Sequence, residues 1–303
     1  MTENFYDVII IGGGPAGVSA SLYIKRANLN VLLIHNGKSA LFKAHSIENF
    51  YAFYDSSGTA GSFTSGENLY NMGIKQAENL GVNVLKDEAV NIEYDFNNFI
   101  FTVGVSNNIK YNSRAVLIAT GTEKKSPDIE NLKNFEGRGV SYCAVCDAFF
   151  YRKKDVAVLG SGDYALHEAN ELTHIAESVI ILSNCEEITA DFKNYNYNII
   201  PLKINRLSGE NKLERVIFED GTFIDIHGLF VAVGSAGSLE FAQKIGVETE
   251  GGNIKLYENN RTSIEGLYVA GDNMGKYKQV AEAVYNGMTA AFDIIKFVRN
   301  KNK

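Results

Sequence analysis

Apolar positions gather in short β-branched runs, separated by glycine-rich turns and longer amphipathic stretches, the pattern of a parallel sheet buried beneath helices. Asp7–Ile11 is the first such run, and it leads into Gly12-Gly13-Gly14-Pro15-Ala16-Gly17. A helical stretch carrying Val18, Leu22 and Ile24 follows, then a second apolar strand at Val31–Ile34. Strand, glycine turn, helix and strand within about 30 residues predict a βαβ unit with a right-handed crossover. The pattern recurs at Asp155–Leu159, Gly160-Ser161-Gly162-Asp163-Tyr164-Ala165, a helix reaching Ile175, and a strand at Val179–Leu182. Ala115–Gly121 and Gly228–Gly234 are further apolar strands ending in glycine, expected as the crossovers between two domains. Gly266–Asp272 predicts one more strand, and from Asn273 a loop leads into an alanine-rich helix.

A length of 303 residues accommodates two such units, each with its own core. The fold class expected is α/β, with two dinucleotide-binding (Rossmann-like) domains. The first is discontinuous, 1–113 with 240–303, and is interrupted by a smaller domain, 114–239. A hydrophobic fraction of 45%, a charged fraction of 21% and 28 Gly against 3 Pro exclude extended disorder. The net charge of -7 argues against nucleic acid or anionic membrane as a general partner. No apolar stretch approaches the roughly 18 residues of a membrane span, and Met1–Asp7 lacks the basic region of a signal peptide, so a soluble cytoplasmic protein is expected.

Gly12, Gly14 and Gly17 stand between a buried strand and a helix, the setting in which a glycine fingerprint admits a pyrophosphate at a helix start. The acid that usually takes the ribose hydroxyls is missing, because Ile34 is followed by His35 and Asn36. His35 reads either as a ribose contact or as an ordinary surface histidine. Gly160, Gly162 and Ala165 form a second fingerprint, yet Ser183, Asn184, Cys185, Glu186 and Glu187 offer no cation for a 2'-phosphate. Either that fold is kept for packing alone, or it takes NADH, which has no such phosphate. Cys143-Ala144-Val145-Cys146 with Asp147 precedes an apolar run expected to be helical, where a helix start would lower thiol pKa. Thiol exchange is the reading preferred over structural zinc, which would need Cys185 and a histidine in place of a second Cys-x-x-Cys, and over an inert pair. No metal site is expected.

Gly12-Gly13-Gly14-Pro15-Ala16-Gly17, Ile47-Glu48-Asn49-Phe50, Ala119-Thr120-Gly121, Cys143-Ala144-Val145-Cys146-Asp147, Tyr151-Arg152 and Val269-Ala270-Gly271-Asp272 together resemble the low-molecular-weight thioredoxin reductases. The likeness runs in the same order over almost the whole chain. It implies FAD in the first domain, held by Gly12, Gly14, Pro15, Ala16, Gly17, His35, Asn36, Asn49, Val90, Ala119, Thr120 and Gly121, with Gly271, Asp272, Lys278, Gln279 and Val280 closing over it. It also implies that Cys146 faces the flavin, Cys143 attacks a thioredoxin disulfide, Asp147 is the nearby acid, and the protein is a homodimer.

The sequence also departs from the family. Where the family's NADPH site carries three arginines, Ser183, Asn184, Cys185 and Thr189 stand here, and the segment Glu186–Pro201 is shorter. Tyr164 adds bulk at the glycine turn, and Lys38 to Ala44 replaces a glycine-glutamine loop. This loss is similar to the ferredoxin-dependent flavin thioredoxin reductases, which implies reduced ferredoxin as donor and thioredoxin as acceptor. Lys38, Lys43, Lys276 and Lys278 are the candidate cations for an acidic donor. The alternatives are an NADH- or NADPH-dependent flavoprotein and a non-catalytic flavin redox sensor.

Overall fold

The computed structural model describes residues 4–51, 64–121, 127–250, 253–274 and 277–301, leaving aside the side chains of 193 and 194. The chain divides into two compact units, Met1–Glu123 with Gly237–Lys303, and Lys124–Ala236.

In the first unit the elements run Phe5–Ile11 (β1), Pro15–Arg26 (α1), Val31–His35 (β2), Gly66–Asn79 (α2), Asn83–Lys86 (β3), Ala89–Asp95 (β4), Ile100–Val105 (β5) and Lys110–Ile118 (β6). The sheet order is β3-β2-β1-β6-β5-β4, and the C-terminal strand Leu267–Val269 pairs with β6. Strands β3, β2, β1 and β6 and the C-terminal strand are parallel, whereas β4, β5 and the first half of β6 form an antiparallel meander. Helices cover the parallel part, so β2 is buried at every position and reads as one apolar run instead of an alternation. The core gathers Val8, Ile10, Ile24, Leu33, Leu117, Ile294 and Val298. Helix α1 packs closely on the C-terminal helix, Val280–Lys301: a Cβ on Gly287 would lie 2.1 Å from the carbonyl oxygen of Ala16.

The second unit holds Val140–Ser141 (β7), Ala144–Asp147 (α3), Asp155–Leu159 (β8), Asp163–Thr173 (α4), Ser178–Leu182 (β9), Asn198–Ile200 (β10), Ile204–Ser208 (β11), Arg215–Phe218 (β12), Phe223–Asp225 (β13) and Gly228–Val231 (β14). Its five-stranded sheet, β10-β9-β8-β14-β7, is parallel throughout, and β11, β12 and β13 form a small antiparallel sheet. Leu159, Leu182, Leu207, Val216 and Leu229 meet in its core.

The domain boundary needs correction. The apolar strands expected at 115–121 and 228–234 are central ones, β6 beside β1 and β14 beside β8, and the chain passes between the units just past each, at 123/124 and 236/237. For the same reason a boundary at 113/114 would cut β6 while Ala115–Ile118 pair with β1, and the first unit instead extends to Glu123 and resumes at Gly237.

Candidate active site

The parallel register sets Ile11 beside Ile118 and Ile118 beside Val269, so Gly12, Ala119-Thr120 and Gly271-Asp272-Asn273 emerge together at the carboxyl edge of the first sheet. That edge is where open α/β sheets bind ligands. Gly12 has φ +121, and a Cβ there would lie 2.2 Å from the carbonyl oxygen of Ala119, so the tight turn itself requires glycine. Gly17 is required by packing, because its Cβ would come within 1.9 Å of the Gly12 carbonyl oxygen. Gly14 differs: a Cβ there would meet nothing within 4 Å. It precedes α1, which begins at Pro15 with no side-chain cap and no acid in its first turn, leaving its positive end facing open space. Thr120 Oγ1 and Asn273 Nδ2, at the same edge, are buried without a hydrogen-bond partner among the described residues.

His35 ends β2 and is 8% exposed, which excludes the surface reading. Its Nδ1 accepts from the Gly37 N–H at 3.2 Å and lies 2.8 Å from the Tyr70 hydroxyl. Because the Gly37 amide can only donate, the neutral ring carries its proton on Nε2. Burial, reinforced by Lys86, holds the imidazole below its ordinary pKa. Burial likewise pushes the Tyr70 phenol up to about 12. Asn36 closes a turn by accepting from the Lys38 N–H at 3.0 Å. Asn49 donates to Gln279 Oε1 at 2.8 Å, tying the loop after β2 to the loop before the C-terminal helix. There Tyr277 and Lys278 donate their amides to Glu282, and Lys278 takes φ 49. Lys38, Lys43 and Lys278 are exposed on these loops, whereas Lys276 lies outside the described residues. Burial raises the pKa of Asp272, with Lys278 opposing. Val90 falls at the bulge between Ala89 and Asn91, and its carbonyl oxygen accepts from Lys244 Nζ at 3.2 Å.

In the second unit, Cys143 and Cys146 form a disulfide with Cα atoms 5.4 Å apart. Cys143 is 4% exposed and caps α3, its Sγ accepting from the Cys146 N–H at 3.2 Å, while Cys146 is exposed. Asp147 accepts from the Ser141 hydroxyl at 2.7 Å. Helix α3 is a single turn that passes into a 3-10 turn, Ala148–Tyr151, and Val145, Phe149 and Phe150 are exposed. The expected longer helix is therefore absent, and its dipole adds little beyond this local amide. Among the described residues, no cluster of three or more His, Cys, Asp and Glu side chains is arranged to hold a metal.

The second glycine turn repeats the backbone of the first. Gly160 has φ +156, with its Cβ position 2.3 Å from the carbonyl oxygen of Ala232. Gly162, unlike Gly14, has a neighbour in front of it. Thr189 Oγ1 lies 3.4 Å from its Cβ position, and the amides of Thr189 and Ala190 donate to the Ser161 carbonyl oxygen at 2.9 and 3.3 Å. Tyr164 does not crowd this opening: it is buried and donates to the Tyr142 carbonyl oxygen at 3.2 Å.

Residues 6–287 match the family described as pyridine nucleotide-disulphide oxidoreductase. A thioredoxin reductase of Rickettsia typhi is 31% identical, covering 96% of this chain and 97% of its own. Among solved structures, the atypical thioredoxin reductase TRi of Desulfovibrio vulgaris Hildenborough superposes with a TM-score of 0.89 at 31% identity, over 98% of this chain and 99% of that one. A ferredoxin-flavin thioredoxin reductase of Clostridium acetobutylicum gives a TM-score of 0.74 at 29% identity, over 99% of each chain. The chain belongs to the thioredoxin reductase family.

Thioredoxin reductases carry FAD, and the first unit fits it. An open Gly14, an uncapped helix start and two orphaned buried polar groups converge at one sheet edge. The sequence reading missed Tyr70, Asn273 and Glu168. Glu168 left a legible signal, a lone carboxylate on the apolar face of a helix that also carries Ala165, Ala169 and Leu172. Tyr70 and Asn273 left none, because their roles depend on contacts distant in sequence.

Proposed function

We propose that this thioredoxin reductase is a FAD-dependent enzyme that reduces thioredoxin through Cys143 and Cys146, taking its electrons from reduced ferredoxin and not from NADPH. The observation that carries the donor reading is the contrast between the two glycine turns: a Cβ on Gly14 would meet nothing within 4 Å, whereas Thr189 Oγ1 stands 3.4 Å from the Cβ position of Gly162 and no cation follows β9 up to residue 190. A nicotinamide nucleotide entering there would meet the Thr189 side chain at the turn, and Glu186 and Glu187 with no Lys or Arg between 183 and 190. NADH meets the same obstruction. The name of the Clostridium relative, a ferredoxin-flavin thioredoxin reductase, agrees with this reading.

FAD, when bound, supplies the redox chemistry that turns single electrons into the pair a disulfide requires. Reduction opens the Cys143–Cys146 bond to two thiols. Cys143 as thiolate then attacks a thioredoxin sulfur, forming a mixed disulfide and releasing a thioredoxin thiolate. In this reading Asp147, adjacent to Cys146 and accepting from the Ser141 hydroxyl, takes the proton that Cys143 loses and passes it to that thiolate. Cys146 next attacks the Cys143 sulfur, restoring the internal disulfide and freeing the second thioredoxin thiol, so two electrons have passed to thioredoxin. The Cys146 amide, donating to Cys143 Sγ, favours the thiolate on Cys143. Because Cys143 is buried in the disulfide state, its attack requires the side chain to be uncovered after reduction. The exposed Lys38, Lys43 and Lys278 supply positive charge for an acidic ferredoxin, and we place homodimerisation in the same proposal.

The test is to mix dithionite-reduced holoprotein with oxidised thioredoxin and count thioredoxin thiols. Appearance of two thiols per thioredoxin supports the reading. A flavin-loaded protein that transfers none is a redox sensor instead.

A further inference from the structure

Helix α4 begins at the second glycine turn, which in the proposed reading holds no nucleotide. Two side chains four residues apart on its buried face, Tyr164 and Glu168, reach the redox segment instead. The Tyr164 hydroxyl donates to the Tyr142 carbonyl oxygen at 3.2 Å, and Glu168 Oε2 accepts from the Ala144 N–H at 2.6 Å. Those atoms belong to the two peptide groups on either side of Cys143. Its own amide donates to Ser141 Oγ at 3.1 Å, and its carbonyl oxygen accepts from the Asp147 amide at 3.2 Å. Ala144 is fully buried and Glu168 is 1% exposed, so this grip lies where an unmatched polar group is costly. A side chain that served only to fill the core would need no carboxyl group. The one here is directed at the amide next to Cys143.

We infer that Tyr164 and Glu168 are positioning residues for the redox pair: they hold the Cys143 backbone in the geometry that closes the disulfide and thereby set the equilibrium between disulfide and dithiol. The inference rests on the reading of Cys143 and Cys146 as the redox pair. In the disulfide the backbone and side chain of Cys143 must both be in place, whereas in the dithiol the sulfur moves independently. Loosening the grip therefore penalises the disulfide more than the dithiol. The pair becomes easier to reduce.

The experiment equilibrates the holoprotein anaerobically with mixtures of reduced and oxidised dithiothreitol. In that exchange the protein disulfide gains two electrons and two protons as the reagent dithiol closes to its cyclic disulfide. Maleimide trapping and mass spectrometry of the 143–146 peptide then give the equilibrium constant. Glu168→Leu is expected to shift it about tenfold toward dithiol and Tyr164→Phe about threefold, while Glu168→Gln, which keeps an acceptor oxygen for the Ala144 amide, stays within about twofold of wild type. The inference is overturned if Glu168→Leu and Tyr164→Phe both stay within about 1.5-fold of wild type, or if Glu168→Gln shifts as far as Glu168→Leu. Should Glu168→Leu not fold, Tyr164→Phe decides by the same threshold. A wild-type pair that never exchanges with dithiothreitol overturns the redox-pair reading itself, an outcome distinct from an exchanging pair that ignores both substitutions.

Discussion

Gly14→Ala separates ligand from fold. Gly14 has φ −73, a conformation alanine adopts readily, and the added methyl meets no protein atom within 4 Å. Alanine is a poorer helix cap than glycine, so the apoprotein should lose less than about 1 kcal/mol. Gly12→Ala is the contrasting variant: at φ +121, with a carbonyl oxygen 2.2 Å from the new methyl, it must distort the turn and should cost roughly 3 kcal/mol. If the space before Gly14 holds the FAD pyrophosphate, the Gly14 methyl pushes the phosphates away from the helix start. FAD affinity should then fall about 100-fold, equivalent to about 2.7 kcal/mol. Urea unfolding of the apoproteins gives the first quantity and flavin fluorescence titration the second. A Gly14→Ala protein that binds FAD within about twofold of wild type, or that unfolds as early as Gly12→Ala, would refute the assignment.

Cys143→Ser and Cys146→Ser should each abolish thioredoxin reduction, but only Cys146→Ser should trap a mixed disulfide with a thioredoxin lacking its resolving cysteine, which non-reducing electrophoresis detects. Reversing Lys38 and Lys43 to Glu should slow ferredoxin-driven flavin reduction about threefold or more at low salt and flatten its salt dependence, with FAD content unchanged; stopped-flow rates at several ionic strengths check this. Asp293 accepts from Arg261 Nε at 2.5 Å, Arg261 Nη2 at 2.8 Å and the Tyr268 hydroxyl at 2.8 Å. Burial opposes its ionisation, but these hydrogen bonds prevail and hold the carboxyl below its ordinary pKa. The stability it contributes is therefore complete above the ordinary carboxylate pKa and is lost as pH falls through the lowered value. Asp293→Asn should cost roughly 1–3 kcal/mol at pH 7 and flatten the loss of stability at acid pH, as urea unfolding at both pH values will report.

Local order was legible in the sequence wherever one segment fixed its own geometry. The strands at 155–159 and 31–34 and both glycine turns follow from buried β-branched runs and from conformations that only glycine tolerates. What the sequence concealed was pairing at a distance. Nothing local in Ala115–Ile118 states that this strand lies between β1 and the C-terminal strand. The segment 145–150 is apolar, which suggests a buried helix, yet Val145, Phe149 and Phe150 face outward around one helical turn. Tyr164 reads in the sequence as bulk at the glycine turn, but its side chain is directed instead toward Tyr142, which depends on how β7 and α4 pack. The absence of cations after β9 was visible in Ser183 to Thr189, whereas the hydrogen bonds from Thr189 and Ala190 to Ser161 required three dimensions.

Anaerobic stopped-flow spectroscopy of the flavin tests the central claim most directly, with reduced ferredoxin, NADPH and NADH offered separately to the same holoprotein. The account predicts that ferredoxin bleaches the flavin rapidly and that thioredoxin thiols then appear, while neither nicotinamide bleaches it at comparable concentration. Rapid bleaching by micromolar NADPH or NADH, with Thr189 in place at the second glycine turn, would contradict it.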